Sequence, residues 1–180
     1  MFVTCPTVVP AVAWLCRLGG RILGAVPPPD PLVIILGDPA AWRPQRGGTR
    51  AEARAADALW MHVRLRLLQA IWRARCVRAA TPDGAAVPAV GAAAVVAMAA
   101  AAVEQDMRRD WHRVQHDVRS EAGVSAAMFA GHSDPMLTRE AFEQRWCVRG
   151  VLASVVGGVG RERLVVSVPR ALLSQAPAGI

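Results

Sequence analysis

The chain has 180 residues, enough for one domain, and carries a net charge of +7 with all twenty-one basic residues being arginine. Because lysine, asparagine and tyrosine are absent and alanine occurs thirty-four times, the composition is typical of a GC-rich coding sequence, and surpluses of alanine, proline or arginine are weak signs of function. The four scattered cysteines form no C-x-x-C pair, which argues against a self-contained zinc site and favours free buried thiols in a reducing, intracellular compartment, nuclear or cytoplasmic.

The first helix is predicted over residues 6–23. Pro6 and Pro10 are tolerated only near a first turn, and Val9, Val12 and Leu15 then form an apolar face. Three consecutive prolines at 27–29 stop any helix. The apolar run at 32–36 indicates a buried strand, or an extended segment laid over helices, inside an extended segment and loop at 31–49.

A long helix is predicted over residues 50–79, because apolar residues recur there at spacings of three and four. Trp60, Leu68 and Trp72 widen this apolar face, and arginines occupy much of the remaining surface. The residues of the predicted core face are Leu59, Val63, Leu67, Ala70, Ile71 and Ala74.

A second long helix is predicted over residues 90–120, and the Pro/Gly turn before it favours an antiparallel pair with the first long helix. Beside its apolar stripe, Asp106 and Asp110 with Arg109 and Arg113 are expected to form a solvated face with local ion pairs. The stripe consists of Val96, Ala100, Val103, Met107, Trp111, Val114 and Val118.

Thr138 is a predicted N-cap for a third, shorter helix that carries Phe142 and Trp146. The pattern then changes to β-rich runs at 151–156 and 164–168, which predicts a terminal hairpin within residues 150–169. The sequence therefore predicts a mainly α fold of two long antiparallel helices, two shorter helices and a C-terminal β-hairpin. We expect one domain over residues 1–170 and a loose tail over 171–180.

No constellation typical of an enzyme stands out. His112 and His116 have the i, i+4 spacing of metal ligands, but helical geometry turns both away from the apolar stripe and predicts exposed side chains. The His-Ser-Asp run at 132–134 is a polar loop sequence, and there is no G-x-S-x-G motif. The glycine run at 157–160 lacks the ending of a phosphate loop. We therefore predict a non-catalytic protein without a cofactor.

The arginines of the first long helix are the predicted functional face. With Trp60 and Trp72 nearby, they would follow a nucleic-acid backbone and stack a base, so the predicted partner is RNA or DNA. The alternative is a solvated basic face with both tryptophans in the core. The candidate nucleic-acid-binding residues are Arg64, Arg66, Arg73, Arg75 and Arg78.

The uncharged stretch at 85–103 has nineteen residues, close to the length that spans a bilayer. Its alanine content, with Pro88 and Gly91, favours a helix outside the membrane instead, because alanine drives insertion weakly. A second possible function follows from its small side chains: the face that begins at Ala92 and ends at Val103 would dock a partner helix. Membrane association through the same stretch is a further alternative.

The first six residues, Met-Phe-Val-Thr-Cys-Pro, lead into an apolar helix that carries Trp14. They resemble the end of the zinc-binding segment that follows the reverse transcriptase domain in non-LTR retrotransposon polyproteins. That segment closes with a His, one residue, a Phe, two residues and Cys-Pro, and Phe2, Cys5 and Pro6 match it. The run at 67–76, which ends in Trp-Arg-Ala-Arg-Cys, is similar to a Leu-rich helix that often follows in such proteins.

This resemblance covers sixteen residues. It implies that the chain is a non-catalytic tail region of a longer element protein, and that Cys5 is an orphaned zinc ligand. The family's polymerase and endonuclease parts lie outside this sequence, as do the His and the first two cysteines of the segment. The resemblance therefore implies no catalytic activity for this chain.

Overall fold

The computed structural model of the protein describes residues 5–26, 43–44, 49–80, 90–121, 138–158 and 161–169. The helices in these ranges are α1 (Val8–Leu23), α2 (Arg50–Ala79), α3 (Ala92–Glu121) and α4 (Arg139–Trp146). The strands are β1 (Ala25–Val26), β2 (Arg43–Pro44), β3 (Ala153–Val156) and β4 (Arg163–Val166), with a 3-10 turn at Val148–Gly150. β1 pairs with β2 and β3 with β4, both antiparallel.

Helix α1 packs one apolar side into the core. Val12 and Leu15 of the predicted apolar face are buried, but the prediction is wrong for Val9, which is 47% exposed. Gly24 ends the helix with a φ of 58°, and its N–H donates to the carbonyl of Gly20. A β-carbon on Gly24 would meet the guanidinium of Arg149, the far end of a flexible exposed side chain that can shift, so the positive φ is what favours glycine at this position. The largest buried side chains of α1 are Trp14, Leu15, Leu18 and Ile22.

Helix α2 begins at a capping box. The Thr49 hydroxyl accepts a hydrogen bond from the backbone N–H of Glu52, and the Glu52 carboxylate accepts one from the N–H of Thr49. The predicted core face is buried up to Ile71, while Ala74 is half-buried. Burial of leucines, isoleucine and valine at this spacing is the main stabilisation of such a helix.

Helix α3 packs against α2 as an antiparallel neighbour. Asp106 of α3 contacts His62 and Arg66 of α2. These residues lie a similar number of positions before the end of α2 and after the start of α3, so the two helices run in opposite directions. The predicted stripe of α3 is buried from Val96 to Val114, while the Val118 side chain lies outside the described part of the chain. The small residues at the start of α3 also pack against α1.

The C-terminal part adds a short helix and the hairpin. Thr138 caps α4, as predicted, because its hydroxyl accepts a hydrogen bond from the N–H of Ala141. The buried side chains of α4 are Phe142 and Trp146. The hairpin pairs Ala153 with Val166 and Val156 with Arg163. Two polar contacts connect the helices to residues next to β4. Arg139 of α4 forms an ion pair with Glu162, and the Trp14 indole N–H of α1 donates to the Pro169 carbonyl at 2.8 Å.

The predicted fold class is confirmed: the chain is mainly α, with two long antiparallel helices, two shorter helices and a C-terminal β-hairpin. The predicted strand at 32–36, the loop at 132–134 and the tail at 171–180 lie outside the described residues. Among the helices of the described ranges, none combines the length and the apolar character needed to cross a membrane.

Candidate functional site

The five arginines predicted to bind nucleic acid fall into three environments. Arg73, Arg75 and Arg78 are exposed, as expected for a binding face. Arg66 is half-buried and pairs with an acid of α3, and Arg64 is buried. The prediction of a solvated position is therefore wrong for Arg64, because its side chain folds along the edge of the apolar face. Burial lowers the pKa of the Arg64 guanidinium, and its Nη1 lies 3.4 Å from the Met61 sulfur.

The two tryptophans of α2 have opposite environments. Trp60 is completely buried, whereas Trp72 is 64% exposed. The prediction that Trp72 widens the core face is therefore wrong: no neighbouring element in the described part of the chain covers it. Trp72, Arg73, Arg75 and Arg78 together occupy the last turns of α2, and we call this exposed group the basic ridge.

A second group of charged residues lies where α2, α3 and α4 meet. Asp106 of α3 is buried, and its Oδ2 lies 2.9 Å from Nε2 of His62 and 2.6 Å from the Arg66 guanidinium. Its Oδ1 accepts from Arg109 at 2.9 Å. One buried carboxylate is thus met by two arginines and an imidazole, which is the compensation that a buried charge requires.

Asp110, one helical turn further along α3, is also buried and accepts from the indole N–H of Trp146 at 2.9 Å. The Arg145 guanidinium lies 3.6 Å from the same carboxylate and 5.3 Å from the Trp146 ring centroid. His62 meets the edge of this ring, with 4.9 Å between centroids. We call His62, Arg66, Asp106, Arg109, Asp110, Arg145 and Trp146 the three-helix charge cluster.

The expectation that Asp106 and Asp110 form a solvated face is wrong, since both are buried. His62 was not singled out at all from the sequence. A helical projection contained the missing signal for the acids: at about 100° per residue, Asp110 lies only about 20° outside the arc from Val103 to Trp111. The convergence of His62 and Arg145 on these acids required the tertiary arrangement.

The chemistry of the cluster is set by its charges. Burial lowers the pKa of His62, and the neighbouring Asp106 opposes this effect without cancelling it. The imidazole is therefore mainly neutral at neutral pH, and its Nε2–H donates to the carboxylate, which can only accept. The arrangement fixes the positions of an imidazole and three guanidinium groups at one surface of the molecule.

The cysteines do not form a metal site in the described ranges. Cys5, the zinc ligand implied by the resemblance, precedes α1, and the backbone N–H groups of Thr7 and Val8 lower its pKa. No group of three or more His, Cys, Asp or Glu side chains is placed to hold a metal ion in the part of the chain that the structure describes, so the residues present do not fit a zinc site.

All four cysteines are free thiols. Burial raises the pKa of Cys16 to about 11 and also raises that of Cys147, as expected for thiols packed against a core. The prediction of free thiols holds, but none of the four is fully buried: Cys5, Cys16 and Cys147 are half-buried, and Cys76 is exposed next to the basic ridge.

The alanine-rich start of α3 was predicted to dock a partner helix. Its inward side packs on α1 and α2 of the same chain, so the close approach allowed by small residues is used within the molecule. Its outward side remains an uncharged strip. The exposed residues of this strip are Ala93, Ala94, Ala97, Met98 and Ala101. His112, further along α3, is exposed as predicted, and the side chain of His116 lies outside the described residues.

Comparison of the chain with protein-family models, with curated proteins and with solved structures found no match.

Proposed function

We propose that the protein is a non-catalytic nucleic-acid-binding chain that holds RNA or DNA on the basic ridge, without sequence preference. The observation that carries the proposal is the exposure of Trp72 between arginines that are exposed as well. A large aromatic ring normally contributes most when it is buried, so a ring left 64% in water calls for a partner.

The ridge has the two components that sequence-tolerant binding needs. Arg73, Arg75 and Arg78 provide charges for the phosphate backbone, and Trp72 provides a flat surface on which any base stacks. Residues 58–79 of α2 contain no aspartate or glutamate, so no acidic residue of this stretch of the helix lies beside the arginines of the ridge. Arginines in the last turn also stabilise the helix dipole, which accounts for part of their placement but not for Trp72.

We further propose that the chain derives from the region after the reverse transcriptase domain of a retroelement polyprotein. The support is the match of residues 1–6 and of the run at 67–76, whose closing Trp-Arg-Ala-Arg-Cys is the start of the basic ridge. The genomic sequence upstream of Met1 tests this origin. A frame that continues backward through a His and two cysteines into a reverse transcriptase supports it, and a frame that lacks them overturns it.

Binding is tested by fluorescence anisotropy with labelled single-stranded oligonucleotides over a range of salt concentrations. In the triple variant Arg73→Gln, Arg75→Gln, Arg78→Gln, we expect weaker binding and a salt slope that is smaller by about 2, since each lost phosphate contact removes about 0.7. Trp72→Ala should weaken binding by about 1–3 kcal/mol with little change in that slope.

The matched control is the triple variant Arg50→Gln, Arg54→Gln, Arg108→Gln, which loses the same charge from exposed positions away from the ridge. It should bind nearly as well as the wild type. Absence of binding by the wild type at low salt would overturn the proposal, and so would equal losses in the two triple variants.

The exposed strip of α3 supports a second candidate function, docking of a partner helix. Ala93, Ala97 and Ala101 recur at spacings of four and carry no charge, which allows close approach of another helix. Light scattering tests this alternative: a dimer or a hetero-complex that Ala97→Glu dissociates supports it, and a monomer at all concentrations counts against it.

A further inference from the structure

The three-helix charge cluster brings three guanidinium groups to one place from three different helices. Arg66 comes from α2, Arg109 from α3 and Arg145 from α4. Arg66 and Arg109 meet the two oxygens of Asp106, and Arg145 approaches Asp110 one turn away on the same face of α3. Asp106 and Asp110 have the i, i+4 spacing that puts β-carbons about 5–6 Å apart, so the two carboxylates that hold these guanidinium groups are neighbours on α3.

The charges of the cluster do not balance. Three guanidinium groups face two carboxylates, and the imidazole of His62 can add a further positive charge but never a negative one. The carboxylates lie beneath the surface, with side chains 5% and 7% exposed, whereas Arg109 and Arg145 are 58% and 50% exposed. The excess charge is therefore positive, and it lies on the solvent side.

The exposed guanidinium groups also keep unused hydrogen-bond donors. A guanidinium has five N–H donors, and among the described residues the contacts with the acids use Nη2 of Arg109 and Nη1 of Arg145. Arg66 differs, because its Nε and Nη2 face Asp106 and its Nη1 donates to Gln69. Arg66 is thus a fixed positive charge, while Arg109 and Arg145 can form new hydrogen bonds.

The buried acids hold these arginines in place before any ligand arrives. Asp106 is itself fixed by His62 and Arg66, and Arg145 is held between Asp110 and the ring of Trp146. An arginine already ordered by a carboxylate loses less conformational entropy when it binds an anion than a mobile surface arginine does. The His62 ring packs against the Trp146 ring in a T-shaped arrangement, with 4.9 Å between the centroids.

We propose that the solvent side of the three-helix charge cluster is a phosphate-binding cradle in which Arg109 and Arg145 donate to the phosphate oxygens and Arg66 supplies a fixed charge. A phosphate group matches it because its several oxygens accept from forked guanidinium donors and its charge offsets the local excess. The cradle is independent of the basic ridge. Its ligand is either a phosphodiester of a nucleic acid or a free phosphate group.

The test is calorimetric titration of the full chain with inorganic phosphate, against sodium chloride at the same ionic strength. In the double variant Arg109→Gln/Arg145→Gln, phosphate binding should be weaker by about tenfold or more, because two charge-assisted hydrogen bonds are lost. The matched control is Arg50→Gln, Arg108→Gln, which removes the same charge from exposed positions outside the cluster and should bind phosphate like the wild type. Equal binding by both double variants, or no binding by the wild type, overturns the cradle.

A second measurement needs no variant of the cluster. The indole N–H of Trp146 donates within the cluster, while that of Trp14 donates to Pro169 on the other side of the core. In a proton–nitrogen correlation spectrum, phosphate should shift the Trp146 signal and leave the Trp14 signal in place. Shifts of both signals, or of neither, contradict the cradle even if the double variant fails to fold.

The source of the phosphate is resolved by competition. A thymidine oligonucleotide is added to the phosphate-loaded triple variant Arg73→Gln, Arg75→Gln, Arg78→Gln. Displacement of phosphate supports a cradle for the nucleic-acid backbone, and retention of phosphate supports one for a free phosphate group. Loss of oligonucleotide binding in the ridge variant with phosphate binding intact likewise assigns the cradle to a free phosphate group and not to a nucleic-acid backbone.

Discussion

The two halves of α2 have similar residues but opposite surroundings. In the half that ends at Ile71, Trp60 and even Arg64 are buried, whereas in the following turns Trp72 and the arginines after it face water. Both halves belong to one continuous helix, so helix propensity cannot explain the difference. Helix α2 contacts both α1 and α3, and Trp72 lies on the side of α2 opposite to its buried residues. The side of the helix on which a residue lies, not its type, therefore decides whether its side chain belongs to the core or to the surface.

This contrast separates residues that hold the fold from residues that are available for a partner. Trp60 and the leucines near it contribute through burial, roughly in proportion to the apolar area removed from water. The basic ridge contributes little to the core, and substitutions there should change binding without unfolding the chain.

The largest contrast is expected between Trp60→Ala and Trp72→Ala. Trp60→Ala removes a fully buried ring and should lower the free energy of unfolding by about 3–5 kcal/mol. Trp72→Ala should change it by less than about 0.5 kcal/mol, because the ring is mostly in water already. Urea unfolding followed by circular dichroism measures both. Comparable losses for the two variants would show that an element covers Trp72 in solution and that the ridge is not a free surface.

The next largest change in the free energy of unfolding is expected in the three-helix charge cluster. Asp106→Asn keeps the shape of the side chain but leaves Arg66 and Arg109 without their buried counter-charge. We expect a loss of about 3 kcal/mol, at the low end for a broken buried pair because both arginines keep access to water. Glu104→Gln, which breaks the i, i+4 pair with Arg108, should cost less than about 1 kcal/mol. A small loss for Asp106→Asn would show that the cluster is solvated, as the sequence pattern had suggested.

A helical projection of α2 predicts the exposure of Trp72 but not the burial of Arg64. The core arc of α2 runs from Leu59 to Ile71, and Trp72 lies about 160° from its centre, so its exposure follows from the same periodicity that predicts the helix. Grouping Trp72 with the core by hydrophobicity alone was the error. Arg64 lies only about 20° outside this arc, and whether such an edge position is buried depends on the neighbouring helices.

Other features were predictable because they are local. The N-cap at Thr138, the stripe of α3 and the two β-rich runs each depend on residues within a few positions of one another. The contacts between helices in the charge cluster join residues 35 to 44 positions apart in sequence, and no local pattern specifies such pairs. Asp110 is contacted by Arg145 and Trp146 because α4 packs against α3 in the folded chain.

A smaller effect is expected at the other exposed end of α2. Thr49 and Glu52 form a capping box in water, remote from any core side chain. Thr49→Ala should lower the free energy of unfolding by about 1 kcal/mol, because one N–H at the helix start loses its acceptor. Thr49→Ser keeps the acceptor and is the matched control. Thermal unfolding compares the two, and equal stability of both variants would mean that the cap contributes nothing.

The smallest effect is a pH dependence that belongs to the packed half. Burial lowers the pKa of His62 below 6.5, its value in an unfolded chain, so the unfolded state binds more protons as the pH falls below 6.5. The stability associated with neutral His62 is therefore fully present above pH 6.5 and is lost as the pH falls through the folded-state pKa. Urea unfolding at a series of pH values measures this loss, which His62→Gln should reduce, while His112→Gln on the exposed face of α3 should not. A stability that rises on acidification would mean that the ion pair with Asp106 outweighs the cost of burying the imidazolium. The ion pair, and not the burial of neutral His62, would then be the main contribution of this residue to stability.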